Sequence, residues 1–213
     1  KVVLVTGAGG SIGSELSRQI IKLKPKKLIL LELNEFALYK VNEELTNYDK
    51  SQKIVSLLID TQDQTKLEVI LETFKVDTIY HTAAYKHVPL VEQNICAGVK
   101  NNVFGTLAIA KASVAKKVSN LVLISSDKAV RPTNIMGASK RLAELCMQGI
   151  YHSVKNNTHK FSIVRFGNVL ESSGSVIPKF KKQIIEGGPV TLTHKDVTLS
   201  LIHISEPTRR RTI

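Results

Sequence analysis

The sequence has no tryptophan and only two cysteines, Cys96 and Cys146, among 213 residues. Two cysteines cannot form the disulfide framework of a small secreted protein. They also lack the close spacing of zinc ligands, and no histidine or carboxylate cluster replaces them. We therefore predict buried free thiols in a reducing compartment and no metal site.

Long hydrophobic runs are absent. No apolar stretch approaches the ~20 residues that a membrane-spanning helix needs, and no charged-then-apolar signal segment opens the sequence. The chain starts directly with an apolar strand pattern at residues 2–5, which is the start we expect of a domain taken from a longer protein. Hydrophobic residues nevertheless make up 43% of the chain, which is enough for a substantial core.

Acidic residues are outnumbered, 18 against 30 lysines and arginines, which gives a formal net charge of +12. The lysines are spread over predicted helix faces and do not alternate with aromatic residues as in a base-stacking platform. Part of the excess is Arg209, Arg210 and Arg211 at the C-terminal end. We therefore predict no nucleic-acid partner. A basic surface instead suits an anionic substrate or an anionic membrane.

A glycine motif lies between the first predicted strand and the first predicted helix. Gly7, Gly10 and Gly13 follow the apolar run at residues 2–5. Such glycines permit a tight turn, a close approach to a pyrophosphate and close helix–strand packing, in that order. The helix start, with Ser11 and Ile12, supplies amide donors to the anion. The pattern predicts dinucleotide binding; the alternative is a merely structural turn.

Further cofactor residues are predicted at the ends of later strands. Glu32 ends the second strand, where a carboxylate would accept hydrogen bonds from a ribose hydroxyl and favour NAD over NADP. Alternatively, Glu32 only caps the next helix, or Glu35 is the ribose ligand. Asp60 ends the third strand, where an adenine edge would lie. Ala83 and Ala84 follow the fourth strand and are small enough to lie flat along a cofactor.

Apolar runs alternate with helical periodicity along most of the chain. We predict strands at residues 2–5, 27–33, 54–59, 78–81, 121–125 and 161–166, with helices between them that include one long helix at 94–117. This alternation predicts an α/β fold with a doubly wound, Rossmann-type parallel sheet. We divide the chain into an NAD-binding domain at 1–166, the start of a substrate-binding portion at 167–198 and a tail at 199–213.

Three polar residues near the fourth strand have two interpretations each. His81 fits a hydrogen-bonded core histidine better than a catalytic one. Lys86 either faces the cleft or is an ordinary loop charge. Asn102 lies beside Asn101 in the otherwise apolar long helix. A buried amide is costly unless it is hydrogen-bonded, so Asn102 either fixes a backbone kink beside the site or faces water.

The fifth strand ends abruptly in polar residues. Ser126, Asp127 and Lys128 follow the apolar run at 121–124, as when a buried parallel strand delivers its tip to a cleft. A predicted helix then begins at Met136 and carries Lys140 four positions later. In a dinucleotide-binding fold this layout would hold a sugar ring and a nicotinamide ring together.

These segments together resemble the extended short-chain dehydrogenase/reductases, and within them the UDP-N-acetylglucosamine 4,6-dehydratases of bacterial polysaccharide biosynthesis. The resemblance covers residues 2–198 and is carried by TGxxGxxG at 6–13, HTAAYKHVPLVE at 81–92, NVFGT at 102–106, SSDKAV at 125–130, PTNIMGASK at 132–140 and RFGNV at 165–169. It implies NAD as cofactor, a UDP-sugar substrate, a homo-oligomer and a cytoplasmic location. Some longer members carry N-terminal membrane helices, which would place this domain on the cytoplasmic face of a membrane.

The resemblance also implies catalytic roles. Most of the superfamily has a tyrosine base where this chain has Met136, but one dehydratase branch has methionine there and uses a Thr-Asp-Lys triplet, with Ser126 replacing threonine here. Ser126 and Lys140 would assist proton loss from the 4-hydroxyl. Lys128 would remove the C5 proton, and Asp127 would protonate the departing C6 hydroxyl. We expect Lys140 to depress the pKa of Lys128, and low polarity to protonate Asp127.

The predicted substrate-binding set rests partly on the same resemblance. Asn168, Ser173 and Ser175 resemble positions that hold the nucleotide-sugar diphosphate and sugar, and Lys86 and Asn102 complete the set. The chain departs from the family after residue 198. We interpret residues 199–213 as foreign or frame-shifted sequence, whose presence would remove an expected diphosphate-binding arginine and leave NAD binding without turnover.

Two alternative functions stay open. A nucleotide-sugar 4-epimerase also oxidises C4 but returns the hydride there; Met136 and the Asp127–Lys128 pair argue against it. A catalytically silent NAD-binding module would bind NAD tightly and lack affinity for the sugar nucleotide.

Overall fold

A computed structural model of the chain describes residues 1–48, 51, 53–154, 159–170, 172, 176–191 and 201–202. The first six strands form one parallel sheet in the order β3-β2-β1-β4-β5-β6. They are β1 (Val2–Thr6), β2 (Lys27–Glu32), β3 (Ile54–Leu58), β4 (Thr78–His81), β5 (Asn120–Ile124) and β6 (Lys160–Val164). This order is that of the Rossmann sheet, and the predicted fold class is confirmed.

The helices connect and follow these strands. They are α1 (Ser11–Lys22), α2 (Glu35–Tyr48), α3 (Gln64–Phe74), α4 (Val88–Gln93), α5 (Ile95–Val99), α6 (Gly105–Ala115), α7 (Ile135–Ser153) and α8 (Val176–Ile185). A further two-residue strand, β7 (Asn168–Val169), pairs in parallel with β8 (Leu201–Ile202). Asn34 and Asp63 cap α2 and α3, since their side chains accept hydrogen bonds from Ala37 N and Lys66 N.

Two hydrophobic cores cover the two faces of the sheet. Successive residues of a strand point to opposite faces, so Leu4 and Val5 of β1 enter different cores, and neither has solvent-accessible surface. One core packs α3, α6 and Met147 of α7 against the sheet. The other packs α1 and α2. Fully burying each such aliphatic side chain contributes about 1.5–3 kcal/mol, and the cores fix where the strand tips lie.

The long helix predicted at residues 94–117 is interrupted. Asn94 separates α4 from α5 with a φ of −132°, and a π-helical turn, Lys100–Phe104, joins α5 to α6. Such a turn admits one extra residue and is common beside functional sites. Thr106 Oγ1 donates to Asn102 O at 2.7 Å inside this turn. The sequence pattern also missed α4, in which Pro89 occupies the first turn.

The prediction of buried thiols is wrong. Cys96 is exposed and Cys146 is only partly buried, because both occupy outer positions of helices whose inner positions are filled by other residues. Among the described residues, no helix combines the length and apolarity needed to cross a bilayer. The same part of the chain contains no group of three or more histidine, cysteine or acidic side chains placed to hold a metal ion.

Candidate functional site

The glycine motif forms a tight turn between β1 and α1. Gly7 has a φ of +63°, and a Cβ built on it would lie 2.7 Å from the backbone of Ala83. A Cβ on Gly13 would lie 2.1 Å from Gly7 O. Larger residues would therefore force the turn away from the neighbouring strand and the helix. Gly10, which has no side chain to cap the helix, precedes α1.

A cleft of about 340 Å³ opens above this turn at the C-terminal edge of the sheet. Its lining includes most of the predicted cofactor residues, namely Gly7, Gly10, Ser11, Glu32, Asp60, Ala83 and Ala84, together with Lys86. Ile12 and Gly13 lie behind them in the first turn of α1. The sequence thus predicted a set of residues that the fold brings together at one place.

Glu32 joins the glycine turn to the β2–α2 connection. Its carboxylate accepts hydrogen bonds from Gly9 N at 3.0 Å, Leu33 N at 2.9 Å and Asn34 N at 3.1 Å. The alternative interpretation, in which Glu32 only caps the next helix, is not supported, because these three amides lie outside α2 and the side chain of Asn34 caps that helix. The carboxylate also lines the cleft, and the ribose contact stays a prediction.

The far wall of the cleft carries the remaining predicted groups. Asp60 Oδ1 accepts from Gln62 N at 2.9 Å, which shapes the turn after β3. Lys86 is exposed on the loop after β4, yet partial desolvation lowers the pKa of its ammonium group. Because Lys86 lines the cleft, its amine lies at the rim, where an anionic ligand would approach.

His81 is a core histidine, as predicted. It is 1% exposed, and its ring nitrogens contact Thr6 Oγ1 at 2.7 Å and Thr106 Oγ1 at 3.1 Å. Burial, with a smaller contribution from the charge of Lys140, lowers the pKa of His81 to about 3. The imidazole is therefore neutral at physiological pH and links β1 to α6.

Asn102 fixes the π-helical turn beside the cleft and does not face water. The side chain is 1% exposed; its Oδ1 accepts from Tyr85 N at 2.7 Å and from Asn101 Nδ2, and its Nδ2 donates to Tyr85 O and Ser139 Oγ. This corrects the assignment of Asn102 to the substrate-binding set. Its amide is fully used within the protein, so it holds the Tyr85 loop against α7.

The predicted acid–base residues form a short 3₁₀ turn, Asp127–Ala129, after β5. Ser126 Oγ donates to Asp127 Oδ1 at 2.9 Å, and Lys128 Nζ donates to the same oxygen at 3.2 Å. Lys128 Nζ also donates to Asn168 Oδ1 at 2.7 Å. A predicted substrate-binding residue thus lies in direct contact with a predicted catalytic one.

The expected low polarity around Asp127 is wrong. Its side chain is 45% exposed and pairs with Lys128, which is 33% exposed. The turn protrudes beyond the buried end of β5, so solvent and the neighbouring ammonium group both reach the carboxylate. The direct partners of Lys128 are the oxygens of Asp127 and Asn168.

Met136 and Lys140 lie on one face of α7, as predicted. Met136 is 3% exposed, and Lys140 Nζ donates to Ile124 O, at the end of β5, at 2.9 Å. Desolvation lowers the pKa of Lys140 to about 8, although the carboxylate of Glu144 acts in the opposite direction. This amine is therefore close to its titration point at physiological pH.

A buried carboxylate behind the site was missed in the sequence. Glu144 has no exposed surface and accepts hydrogen bonds from Ser125, Arg141 and Arg165. Burial alone would raise the pKa of Glu144, but the bonds from Arg165, Ser125 and Arg141 outweigh it and hold the pKa below its usual range. The available signal was its position one helical turn after Lys140.

Gly137 was also missed. A Cβ there would lie 2.4 Å from Lys128 O, so glycine lets the start of α7 pack directly on the acid–base turn. Asn134 Oδ1 accepts from Gly137 N at 2.8 Å and caps the helix. The predicted substrate residues Ser173 and Ser175 lie outside the described residues, as does most of the predicted tail at 199–213. The division at 167–198 stays a prediction.

Sequence comparison relates the chain to curated proteins. It is 46% identical over 210 residues to the capsular polysaccharide biosynthesis protein CapD of Staphylococcus aureus, covering 98% of this chain and 35% of that protein. It is 32% identical over 197 residues to an inverting UDP-N-acetylglucosamine 4,6-dehydratase of Campylobacter jejuni, covering 91% and 57%. The chain thus spans only part of the length of these relatives.

Solved structures share the fold. Pen from Bacillus thuringiensis superposes with a TM-score of 0.89 at 34% identity, over 96% of this chain and 63% of that one. A dTDP-glucose 4,6-dehydratase from Streptomyces venezuelae, solved with NAD bound, gives a TM-score of 0.82 at 23% identity, over 96% and 68%. The second likeness is evidence of fold alone.

The family comparison covers nearly the whole sequence. The sequence model described as polysaccharide biosynthesis protein matches residues 3–209. This match includes the glycine turn, the acid–base turn and α7, and it confirms the predicted resemblance. It also extends to residue 209, past residue 198, where the sequence was predicted to depart from the family. The chain belongs to the polysaccharide biosynthesis protein family.

Proposed function

We propose that this chain is the NAD-binding and catalytic part of a nucleotide-sugar 4,6-dehydratase that acts on UDP-N-acetylglucosamine. The observation that supports it most directly is the contact of Asp127 with Lys128 at the tip of β5, together with Met136 where the superfamily's usual base would stand. The Campylobacter jejuni relative carries the same activity by name.

NAD fits the cleft described above. The glycine turn is held tight, because a Cβ on Gly7 or Gly13 would collide with neighbouring backbone, and the turn lines the cleft together with Glu32, Asp60, Ala83 and Ala84. These residues would hold the pyrophosphate, ribose and adenine, with Lys140 near the nicotinamide end. Bound NAD⁺ supplies hydride acceptance from C4 of the sugar and hydride return to C6.

The acid–base turn supplies the groups for water loss. A hydrogen bond of 3.2 Å joins Lys128 Nζ to Asp127 Oδ1, so one proton transfer converts the ion pair into a neutral amine and a carboxylic acid. Those are the two forms that elimination needs. Lys128 takes the C5 proton, Asp127 gives its proton to the departing C6 hydroxyl, and a proton later returns to C5.

Oxidation at C4 requires removal of the 4-hydroxyl proton. Met136 has no exchangeable proton and is buried, so it cannot be the base. Lys140, whose pKa is lowered to about 8, has a substantial neutral fraction at pH 7 to 8. Ser126 Oγ, bonded to Asp127, relays the proton toward it.

We propose a cytoplasmic domain that binds a UDP-sugar, assembles as a homo-oligomer and belongs to a longer protein with an N-terminal membrane region. In support, a Methanocaldococcus jannaschii relative that is 44% identical over 207 residues is named a membrane protein. The lining of the cleft by Lys86 suits the negative charge of a sugar nucleotide.

A 4-epimerase is the second candidate, because UDP-glucose 4-epimerase of Rickettsia bellii is 30% identical over 209 residues. The decisive assay is mass spectrometry of UDP-N-acetylglucosamine incubated with NAD and the protein in heavy water. It is run on this chain and on the chain extended to the length of its relatives. The product of a dehydratase is the sugar nucleotide without one water and with one deuterium at C5. The product of an epimerase is an isomer of the substrate that has lost no water.

Lys128→Met should lower turnover by roughly 10²–10⁴-fold, the usual contribution of a general base, and should leave NAD binding intact. Lys111→Met, on an exposed position of α6, is the matched control and should keep full activity. Full activity of the Lys128 variant would remove this residue from the mechanism. No reaction from either length of chain would leave only an NAD-binding module.

A further inference from the structure

Lysines are concentrated at one edge of the sheet. Because the six strands are parallel, they all begin at the edge opposite the cofactor cleft, and α1, α3 and α6 end there. We call this the basic edge. Its ten described lysines are Lys1, Lys22, Lys24, Lys26, Lys27, Lys53, Lys75, Lys116, Lys117 and Lys160.

Few acids balance this charge. In the described connections at the basic edge the one acidic residue is Asp77, whose carboxylate accepts a hydrogen bond from Val2 N at 2.7 Å. Glu72, near the end of α3, pairs with Lys116 at 2.7 Å. The opposite edge mixes the two signs: Glu32 and Asp60 line its cleft with Lys86, and Asp127 pairs with Lys128. The basic edge differs from it in having few acids beside its lysines.

Helix dipoles explain only part of this pattern. Cations near helix C-termini are stabilising, which accounts for lysines that end α1, α3 and α6. It does not account for Lys27, Lys53 and Lys160, which lie at or just before the starts of strands.

The backbone supplies a second observation. Lys24, Lys75 and Lys117 have φ values of 48°, 51° and 54°, in the left-handed region where glycine is the favoured residue after a helix. At three separate helix ends, lysine occupies a position that is conformationally easier for glycine. The charge at this edge therefore comes with a conformational cost.

The shape of the edge indicates its partner. Lys26, Lys27, Lys53 and Lys75 line a concavity of about 400 Å³, but the remaining lysines extend across a sheet that is roughly 25 Å wide at about 4.8 Å per strand. Leu23, at 80% exposure, lies among them. A small anion would engage only the concavity, whereas a charged plane that also accepts an apolar side chain would engage the whole edge.

We propose that the basic edge docks the protein on an anionic lipid bilayer. The cofactor cleft then faces away from the lipid, so a water-borne sugar nucleotide reaches it directly. This inference does not rest on the proposed enzymatic activity, because it depends only on the opposite edge of the sheet.

The test is sedimentation of the chain with vesicles of 70% phosphatidylcholine and 30% phosphatidylserine, compared with pure phosphatidylcholine. The edge variant combines Lys24→Gln, Lys26→Gln, Lys53→Gln and Lys75→Gln, all at exposed positions. The matched control has the same net charge and combines Lys40→Gln, Lys100→Gln, Lys111→Gln and Lys179→Gln, which are exposed elsewhere. Circular dichroism checks that both variants are folded.

We expect the unsubstituted chain to sediment with phosphatidylserine vesicles and to dissociate as salt rises. The edge variant should lose about a hundredfold or more in partition coefficient, since each lysine near the surface contributes roughly a factor of five. The control should change much less. Equal losses in both variants, or no vesicle binding by the unsubstituted chain, would overturn the proposal. If the edge variant lost binding to duplex DNA but kept its binding to vesicles, the result would overturn the proposal in favour of a nucleic-acid partner.

Discussion

Replacing Glu144 by glutamine tests whether the buried carboxylate holds the site together. Glu144→Gln keeps the size of the side chain and an acceptor for Ser125 Oγ, now bonded at 2.6 Å. It removes the negative charge shared by Arg141 and Arg165. Breaking a buried ion pair on one side costs about 3–5 kcal/mol.

The expected magnitude is smaller than that range. Arg165 and Arg141 are 30% and 39% exposed, so water recovers part of the solvation of both guanidinium groups. We expect a loss of about 2–3 kcal/mol in the free energy of unfolding. Glu72→Gln is the control: Glu72 is 70% exposed in its pair with Lys116, and the loss there should stay below about 0.5 kcal/mol.

The pH dependence gives a sharper criterion. The pKa of Glu144 is lowered in the folded protein, so its contribution is fully present above the unfolded value of about 4.3. It is lost as pH falls through the lower folded value. Urea denaturation followed by circular dichroism should therefore show a constant difference between the two proteins from pH 8 to 5, and a difference that shrinks steadily as pH falls below about 4. A difference under about 0.5 kcal/mol at pH 7, or one that does not shrink in acid, would refute the reasoning.

Two further predictions concern the cleft and α7. Gly13→Ala should weaken NAD binding at least ~10-fold by calorimetry, because the new Cβ would lie 2.1 Å from Gly7 O and displace the turn that cradles the pyrophosphate. The control is Gly149→Ala, whose Cβ would meet no atom within 4 Å; it should bind NAD normally and gain up to ~1 kcal/mol of helix stability. Equal NAD binding by the two variants would contradict the assignment. The pKa of Lys140 is about 8 in the folded protein against an ordinary value of 10.5, so between these pH values the unfolded chain binds more protons than the folded one. The free energy of unfolding should therefore rise by about 2–3 kcal/mol from pH 8 to 10.5. Lys140→Met should lack that rise in urea titrations, and an unchanged rise would assign the effect to another group.

The sheet and the cofactor cleft were predictable because they depend on local patterns. A buried parallel strand is a short apolar run, and glycines at this spacing between a strand and a helix are typical of a dinucleotide-binding turn. The residues that the pattern placed at strand tips, such as Glu32, Asp60 and Lys128, lie at one edge of the sheet because parallel strands must end together.

What could not be predicted depends on contacts between distant segments. The π-helical turn exists because Asn102 bonds Tyr85, 17 residues earlier, and Ser139, 37 residues later. Glu144 bonds Ser125 and Arg165, which converge on it from the residues directly after β5 and β6. No local periodicity encodes either arrangement. Exposure of Asp127 was likewise misjudged, because a residue directly after a buried strand need not be buried itself.

The site has two parts that are held differently. Hydrogen bonds to neighbouring segments fix α7, whereas the charged side chains of the acid–base turn bond mainly to each other. Ser139, Lys140 and Glu144 join α7 by hydrogen bonds to the π-helical turn, to the end of β5 and to Arg165, the residue after β6. Asp127 and Lys128 instead share a partly exposed ion pair.

A fixed amine suits a step whose geometry must not vary, such as oxidation at C4 beside a bound cofactor. A solvated ion pair suits proton exchange, but it must lose water before the amine and carboxyl can act in their neutral forms. Substrate binding should therefore reorganise the acid–base turn far more than α7.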